Sequence, residues 1–168
     1  PAVFALGAVV GLSLGFFNSV LITRFNISPI LATLGAGELF RGISMAMTNG
    51  AAVSRFSSEY ALSVNNRIIG DLIPVQTLVF AGVVFFVWVL LKRTTYGPKL
   101  YMLGTNPVAA RFSGLKIKSL LTKTYVLSGL FAGIAGMVML GNYNSARADY
   151  GAVYTLQSIM IVILGGVS

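Results

Sequence analysis

The sequence predicts an all-α fold, a polytopic membrane helix bundle with four full spans and the start of a fifth. Three observations carry this prediction. Apolar residues make up 56% of the chain and charged residues 10%, with a mean hydropathy of +0.85. A soluble domain carries about 25% charged residues, so too few are present here to cover a water-facing surface. The apolar residues also fall into runs close to the roughly 20 residues that a helix needs to cross the hydrocarbon core. Finally, the basic residues concentrate between two of those runs, the mark of a cytoplasmic loop.

The first span is expected at 1–22, a stretch without a charged residue and about 33 Å long as a helix. Gly7, Gly11 and Gly15 recur on one of its faces, a spacing that lets a neighbouring backbone approach closely. A short polar turn at 24–28 follows. Pro29 then suits the first turn of a new helix, where its missing N–H is not needed. The second span, 28–48, holds Glu38 and Arg41 nearly on one face, where they can pair. Charge inside a membrane is costly and faces the bundle interior or a wet cavity, so this pair either ties helices together or lines a transport path.

A polar loop with Arg55, Glu59, Arg67 and Asp71 leads to the third span, 75–91, in which Trp88 suits the membrane interface. The fourth span, 120–141, is rich in small residues (Ser128, Gly129, Ala132, Gly133, Ala135 and Gly136) and is expected to pack closely. After a polar loop with Arg147 and Asp149 comes a partial fifth span, 156–168, which ends in Gly165-Gly166-Val167-Ser168. It reads as the start of a span or as a half-helix broken at the glycine pair. Apolar runs at both ends predict that residues 1–168 are a fragment of one transmembrane domain.

Charge sets the expected orientation. Lys92, Arg93, Lys99, Arg111, Lys116, Lys118 and Lys123 stand together with no acid among them, and supply most of the net charge of +8. Alternating spans put Arg24 and this segment on one side, which makes 92–119 a cytoplasmic loop of a multi-pass inner-membrane protein. The same distribution excludes nucleic-acid binding, because no soluble basic domain is there to carry it. The chain has no cysteine and no histidine, which removes the commonest metal ligands, thiol chemistry and disulfides. No G-x-x-x-x-G-K-[ST] motif and no close carboxylate pair occurs. No catalytic residue, metal or cofactor is therefore expected in the chain itself.

The most informative stretch is 104–115. Asn106 is a good N-cap, Pro107 fits the first helical position, and Gly114 can take the left-handed stop conformation. A short, well-bounded helix thus lies in a cytoplasmic loop between two spans, with Arg111 available to pair with a carboxylate. Such a helix serves either as a docking knob for a soluble partner or as a surface helix held by anionic lipid. Polar residues that can face a solute are Asn18, Arg41, Asn142, Asn144 and Gln157, with Glu38 as a further ionisable group.

This loop resembles the coupling-helix loop of sugar ABC importer permeases of the ribose/xylose/galactose type, whose pattern is L-G-x-N-x-x-A-A-x-x-S-G-I. Leu103, Gly104, Asn106, Ala109, Ala110, Ser113 and Gly114 match it. Thr94, Gly97 and Tyr101 resemble the T-x-x-G-x-x-x-Y upstream. Tyr125, Ser128-Gly129-Leu130 and Ala135-Gly136 resemble the following span, and Leu164-Gly165-Gly166 with Ser168 the later L-G-G-x-S. The segment 142–151 also resembles permeases for a pentose-derived signalling molecule. Pro107-Val108 stand where many relatives carry a Glu, and Glu38 stands where relatives are often apolar. The resemblance implies a permease subunit that moves a monosaccharide or related solute inward. Implied partners are an ATPase subunit holding ATP and Mg, a second permease subunit (the same or different), a periplasmic or surface sugar-binding protein, and the bilayer. Asn106, Pro107, Ala109, Ala110, Arg111, Ser113 and Gly114 would then dock into the ATPase. Residues alone leave three alternatives: an ion-coupled secondary transporter, an ABC permease for branched amino acids or nucleosides, and a membrane scaffold.

Overall fold

The computed structural model describes residues 2–54, 67–68 and 73–166. Arg55, Glu59 and Asp71 of the expected polar loop, and Val167 and Ser168 of the terminal motif, lie outside the described residues. Among the described residues the helices are α1 (Ala2–Arg24), α2 (Pro29–Thr48), α3 (Val75–Arg93), α4 (Tyr96–Thr105), α5 (Pro107–Phe112), α6 (Ile117–Tyr143) and α7 (Tyr150–Leu164). Four of them, α1, α2, α3 and α6, are long and apolar enough to cross a membrane. The fold is an all-α membrane helix bundle. Its outward apolar faces fit that solvent: Leu6, Ile30, Phe80, Phe85 and Ile161 are all exposed.

The bundle is organised by α1 and α6. Gly7, Gly11, Gly15, Ser19 and Ile22 form the buried stripe of α1. Opposite them on α6 stand Met137, Gly133, Gly129 and Tyr125, in descending order, so the two helices run antiparallel. The backbones are in contact. A methyl group at Gly11 would overlap the Gly129 carbonyl oxygen, and one at Gly133 would overlap the Gly7 carbonyl oxygen. Lipid supplies no hydrophobic drive between helices, so such close van der Waals fit is what holds them. The other helices attach through side chains. Phe17 meets Phe40 of α2 edge-on at 5.6 Å, and Phe86 of α3 meets Phe131 at 6.2 Å.

Short strands pin the ends. β1 (Val53–Ser54), beyond α2, pairs antiparallel with β4 (Ser145–Ala146), beyond α6, in the register Val53 to Ala146. β2 (Arg67–Ile68) pairs with β3 (Ile73–Pro74), which runs into α3. The ends of α2 and α6 therefore share one side. The antiparallel α1–α6 pair puts Arg24 and the start of α6, with its basic residues, on the other.

Two elements start earlier than hydropathy predicts. α6 runs from Ile117 to Tyr143 rather than over 120–141, and α7 begins at Tyr150 rather than at 156. Hydropathy marks where lipid is, whereas backbone hydrogen bonding continues past the hydrocarbon. Residues 150–155 read as loop because they hold tyrosines and a threonine. Their hydroxyls are used at the helix joint: Tyr143 and Tyr154 lie 3.0 Å apart, as do Ser145 and Tyr150.

A close backbone seam tolerates no side chain. Gly11→Val should lower the melting temperature of the detergent-solubilised full-length protein, through overpacking worth about 1–3 kcal/mol. Gly82→Ala on α3, where a Cβ meets nothing within 4 Å, should change it little.

Candidate functional site

The basic segment between α3 and α6 contains two short helices, where the sequence predicts one. Thr94 makes the first turn. Its hydroxyl donates to the Leu90 carbonyl at 2.6 Å and accepts the Tyr96 N–H at 3.2 Å. Gly97 lies bare against the Leu91 carbonyl, and any Cβ there would overlap it. This lets α4 fold sharply back from α3. The Tyr96 hydroxyl then ties α4 to α6 through the Thr124 hydroxyl at 2.6 Å.

α5 follows without a linker. Asn106 serves both helices: its N–H donates to the Met102 carbonyl at 3.1 Å, and its side-chain oxygen accepts the Ala109 N–H at 3.0 Å. Pro107 occupies the first turn. At the far end the Ser113 hydroxyl donates to the Ala109 carbonyl at 2.9 Å. Gly114 turns the chain at φ +75°, and the Leu115 N–H returns to the Ala110 carbonyl at 3.2 Å. Six residues of helix are too few to persist alone in water; the caps and the packing of α5 on α4 hold them.

Exposure divides the residues of α5 by role. Ala110 is 0% exposed and forms the seat of the helix, whereas Phe112 is 90% exposed and Val108 63%. Arg111 is exposed beside them. The face that α5 offers outward is therefore Val108, Arg111 and Phe112. Asn106, Pro107, Ser113 and Gly114 build the helix.

Two clefts flank α6 within the bundle. One, of about 420 Å³ between α1, α2 and α6, includes Asn18, Thr33, Tyr125 and Ser128 in its lining. The Asn18 side-chain oxygen is buried there without a hydrogen-bond partner among the described residues. The other, of about 780 Å³ between α3, α6 and α7, has Gln76, Asn142, Tyr143, Tyr154, Thr155 and Ser158 as its polar lining. Gln76 donates its amide to the Asn142 side-chain oxygen at 3.4 Å. No charged side chain among the described residues lines either cleft.

The family model described as "Branched-chain amino acid transport system / permease component" matches residues 1–168. The chain belongs to this permease family. It is 34% identical over 153 residues to the ribose import permease protein RbsC of Bacillus subtilis, covering 90% of this chain and 47% of that protein. It is 32% identical over 171 residues to the galactose/methyl galactoside import permease protein MglC of Escherichia coli, covering 99% of this chain and 50% of MglC. It is 30% identical over 167 residues to the autoinducer 2 import system permease protein LsrD of an Enterobacter species, covering 96% and 50%. The permease chain spans about half the length of these curated relatives. No solved structure matches it.

Of the solute-facing residues expected from sequence, the structure places Asn18 in the first cleft and Asn142 in the second. Glu38 lines neither: it is 76% exposed and 3.9 Å from Arg41, whose Nε is buried without a partner among the described residues. Asn144 takes φ +48° and ends α6 by its backbone. Gln157 is exposed on α7 and lines neither cleft. Sequence reasoning missed Gln76, Tyr143 and Tyr154, which no local pattern marks, and Phe112, whose place beside Arg111 on a two-turn helix was a readable signal.

The Asn106 cap is testable in the permease as it stands. Asn106→Ala should destabilise α5 by about 1 kcal/mol and speed hydrogen exchange at the Ala109 amide several-fold. Asn106→Asp should restore the protection.

Proposed function

We propose that this chain is part of the transmembrane permease of an ATP-binding-cassette importer that moves a monosaccharide or related sugar-like solute into the cytoplasm. ATP, with Mg, is hydrolysed on separate subunits, a second permease subunit completes the path, and a binding protein delivers the solute. The basic side of the bundle, with 92–119, faces the cytoplasm, as the excess of lysine and arginine there requires. The observation that carries the reading is identity of 30–35% over 90–99% of the chain to permeases whose names specify ribose, galactose and autoinducer 2 import.

Two features of the chain support it. Among the described residues the clefts beside α6 are lined by hydroxyls, amides and aromatic rings and by no charged side chain. A neutral polyhydroxylated solute can be satisfied by such groups, whereas an amino-acid zwitterion buried there would lack counter-charges. That favours a sugar over the branched-chain amino acid of the family's description, and Asn142 with Gln76 as part of the path. The second feature is α5. An exposed Phe112 and Arg111 on a short helix capped at both ends make a rigid knob of residue types enriched at protein–protein interfaces. Through Tyr96–Thr124 and the turn at Gly114 a push on α5 reaches α6 and, across the glycine seam, α1.

Two measurements test this. Arg111→Glu with Phe112→Asp in the full-length permease should reduce recovery of the co-encoded ATPase on the order of tenfold or more and abolish uptake, with membrane insertion unchanged. Normal recovery and uptake would sink the coupling role. In cells, labelled ribose or galactose uptake should be competed by sugars and not by leucine, and Asn142→Ala should raise the half-saturating concentration. Competition by leucine alone would replace the sugar by an amino acid.

A further inference from the structure

A third concavity, of about 380 Å³, sits where the basic ends of the spans meet. It is formed by the turn after α3, the start of α4 and the first turn of α6. Lys99, Lys116 and Lys123 line it together with the hydroxyl residues Thr94, Thr95 and Ser119. No carboxylate among the described residues faces it, and none occurs in the chain from 92 to 123. Its walls are fixed by the Thr94 turn and by the Tyr96–Thr124 bond. α6 also opens here, and its N-cap residue Lys116 supplies no side-chain acceptor. The Ile117 N–H is taken by the Leu115 carbonyl at 2.9 Å, and the N–H groups that follow it at this end of the long helix add partial positive charge to the same place.

We propose that this cleft binds the phosphate group of an anionic phospholipid, a phosphodiester held by the three lysines and the neighbouring hydroxyls. This rests on the basic side of the bundle lying at the inner leaflet, and not on the importer reading itself. Three exposed lysines that line one cleft, with no carboxylate among the described residues beside them, repel one another, and a bound anion relieves that repulsion. The depth is right for a headgroup: Arg93 stacks over Trp88 at 6.0 Å at the end of α3, an interfacial arrangement. Basic clefts between the cytoplasmic ends of spans are where acidic headgroups are held. α5 directs Phe112 outward from the loop, whereas the three lysines line a concavity between span ends, which favours lipid over a protein partner.

The test uses the full-length permease purified without its ATPase, with native mass spectrometry reading phosphatidylglycerol, phosphatidylcholine or inorganic phosphate bound. Wild type should retain phosphatidylglycerol in preference to phosphatidylcholine. Changing Lys99, Lys116 and Lys123 to Ala should weaken that binding about fivefold per lysine and on the order of a hundredfold together. A charge-matched control with Lys92, Arg93 and Lys118 changed to Ala, all outside the cleft, should retain most of it. Equal losses in the two triples would show a diffuse basic field and overturn the site, as would unchanged binding in the cleft triple. If that triple does not purify as a single species, Lys116→Ala alone should show the fivefold loss, and Lys→Arg at the three positions should bind as wild type. Millimolar inorganic phosphate that displaces the lipid would make free phosphate the occupant of the same chemistry; lipid retained against it confirms the headgroup. Normal lipid binding with loss of the ATPase in the cleft triple would assign the lysines to a protein interface and end the proposal. The Arg111 and Phe112 variants leave this readout untouched, so failure of the importer reading is seen separately.

Discussion

The rest of the bundle depends on the contact of two backbones. Where Gly11 and Gly15 of α1 meet Gly129 and Gly133 of α6, no side chain separates the helices, and Gly7 makes room for the Met137 side chain. In lipid, apolar side chains gain nothing from leaving their solvent, so association depends on how closely atoms can approach. The seam also sets direction. Because Gly7 opposes Gly133 and Gly15 opposes Tyr125, the end of α1 must lie beside the start of α6. Arg24 and the basic segment are thereby gathered on one side. The aromatic contacts to α2 and α3 are looser and leave the clefts on either flank of α6.

α6 therefore has several duties. Its N-terminal turns border the lysine cleft and take the Tyr96 bond through Thr124. Its middle is the seam. Its C-terminal turn carries Asn142 and Tyr143 into the larger cleft and ends at the strand pair with β1. A displacement delivered to α5 has a short, stiff route to this helix, because Asn106 joins α4 to α5 and Tyr96 joins α4 to α6. The basic segment also divides its charges by position. Arg111 stands beside Phe112 on α5, while Lys99, Lys116 and Lys123 line the cleft between the span ends. Linear sequence shows these residues as one basic run, and only folding sorts them.

Local features were the legible ones. Asn106, Pro107 and Gly114 stand within one short stretch, and each acts on its own backbone or on a neighbour within a turn, so the ends of α5 could be read from residue type. The glycines at four-residue spacing were legible as a packing face for the same reason, though not their partner. α4 was missed because its start depends on a close approach: Gly97 against the Leu91 carbonyl has no signature beyond a glycine before Pro98. Ala110 and Phe112 show the limit differently. Both lie on a helix that the sequence places well, yet which side is the seat and which the face depends on how α5 lies on α4.

The sequence by itself determined the solvent, the number of long helices, the basic side and the caps of the loop helix. These follow from composition, run length and short-range hydrogen bonding, all of which are properties of adjacent residues. Tertiary structure alone decided that α6 is the partner of α1. It also decided that Asn142 meets Gln76, that Glu38 lines neither cleft, and that three lysines from 99 to 123 share one cleft. Those outcomes depend on distances between residues far apart in the chain, set by which helix faces can approach most closely, and no local pattern encodes them.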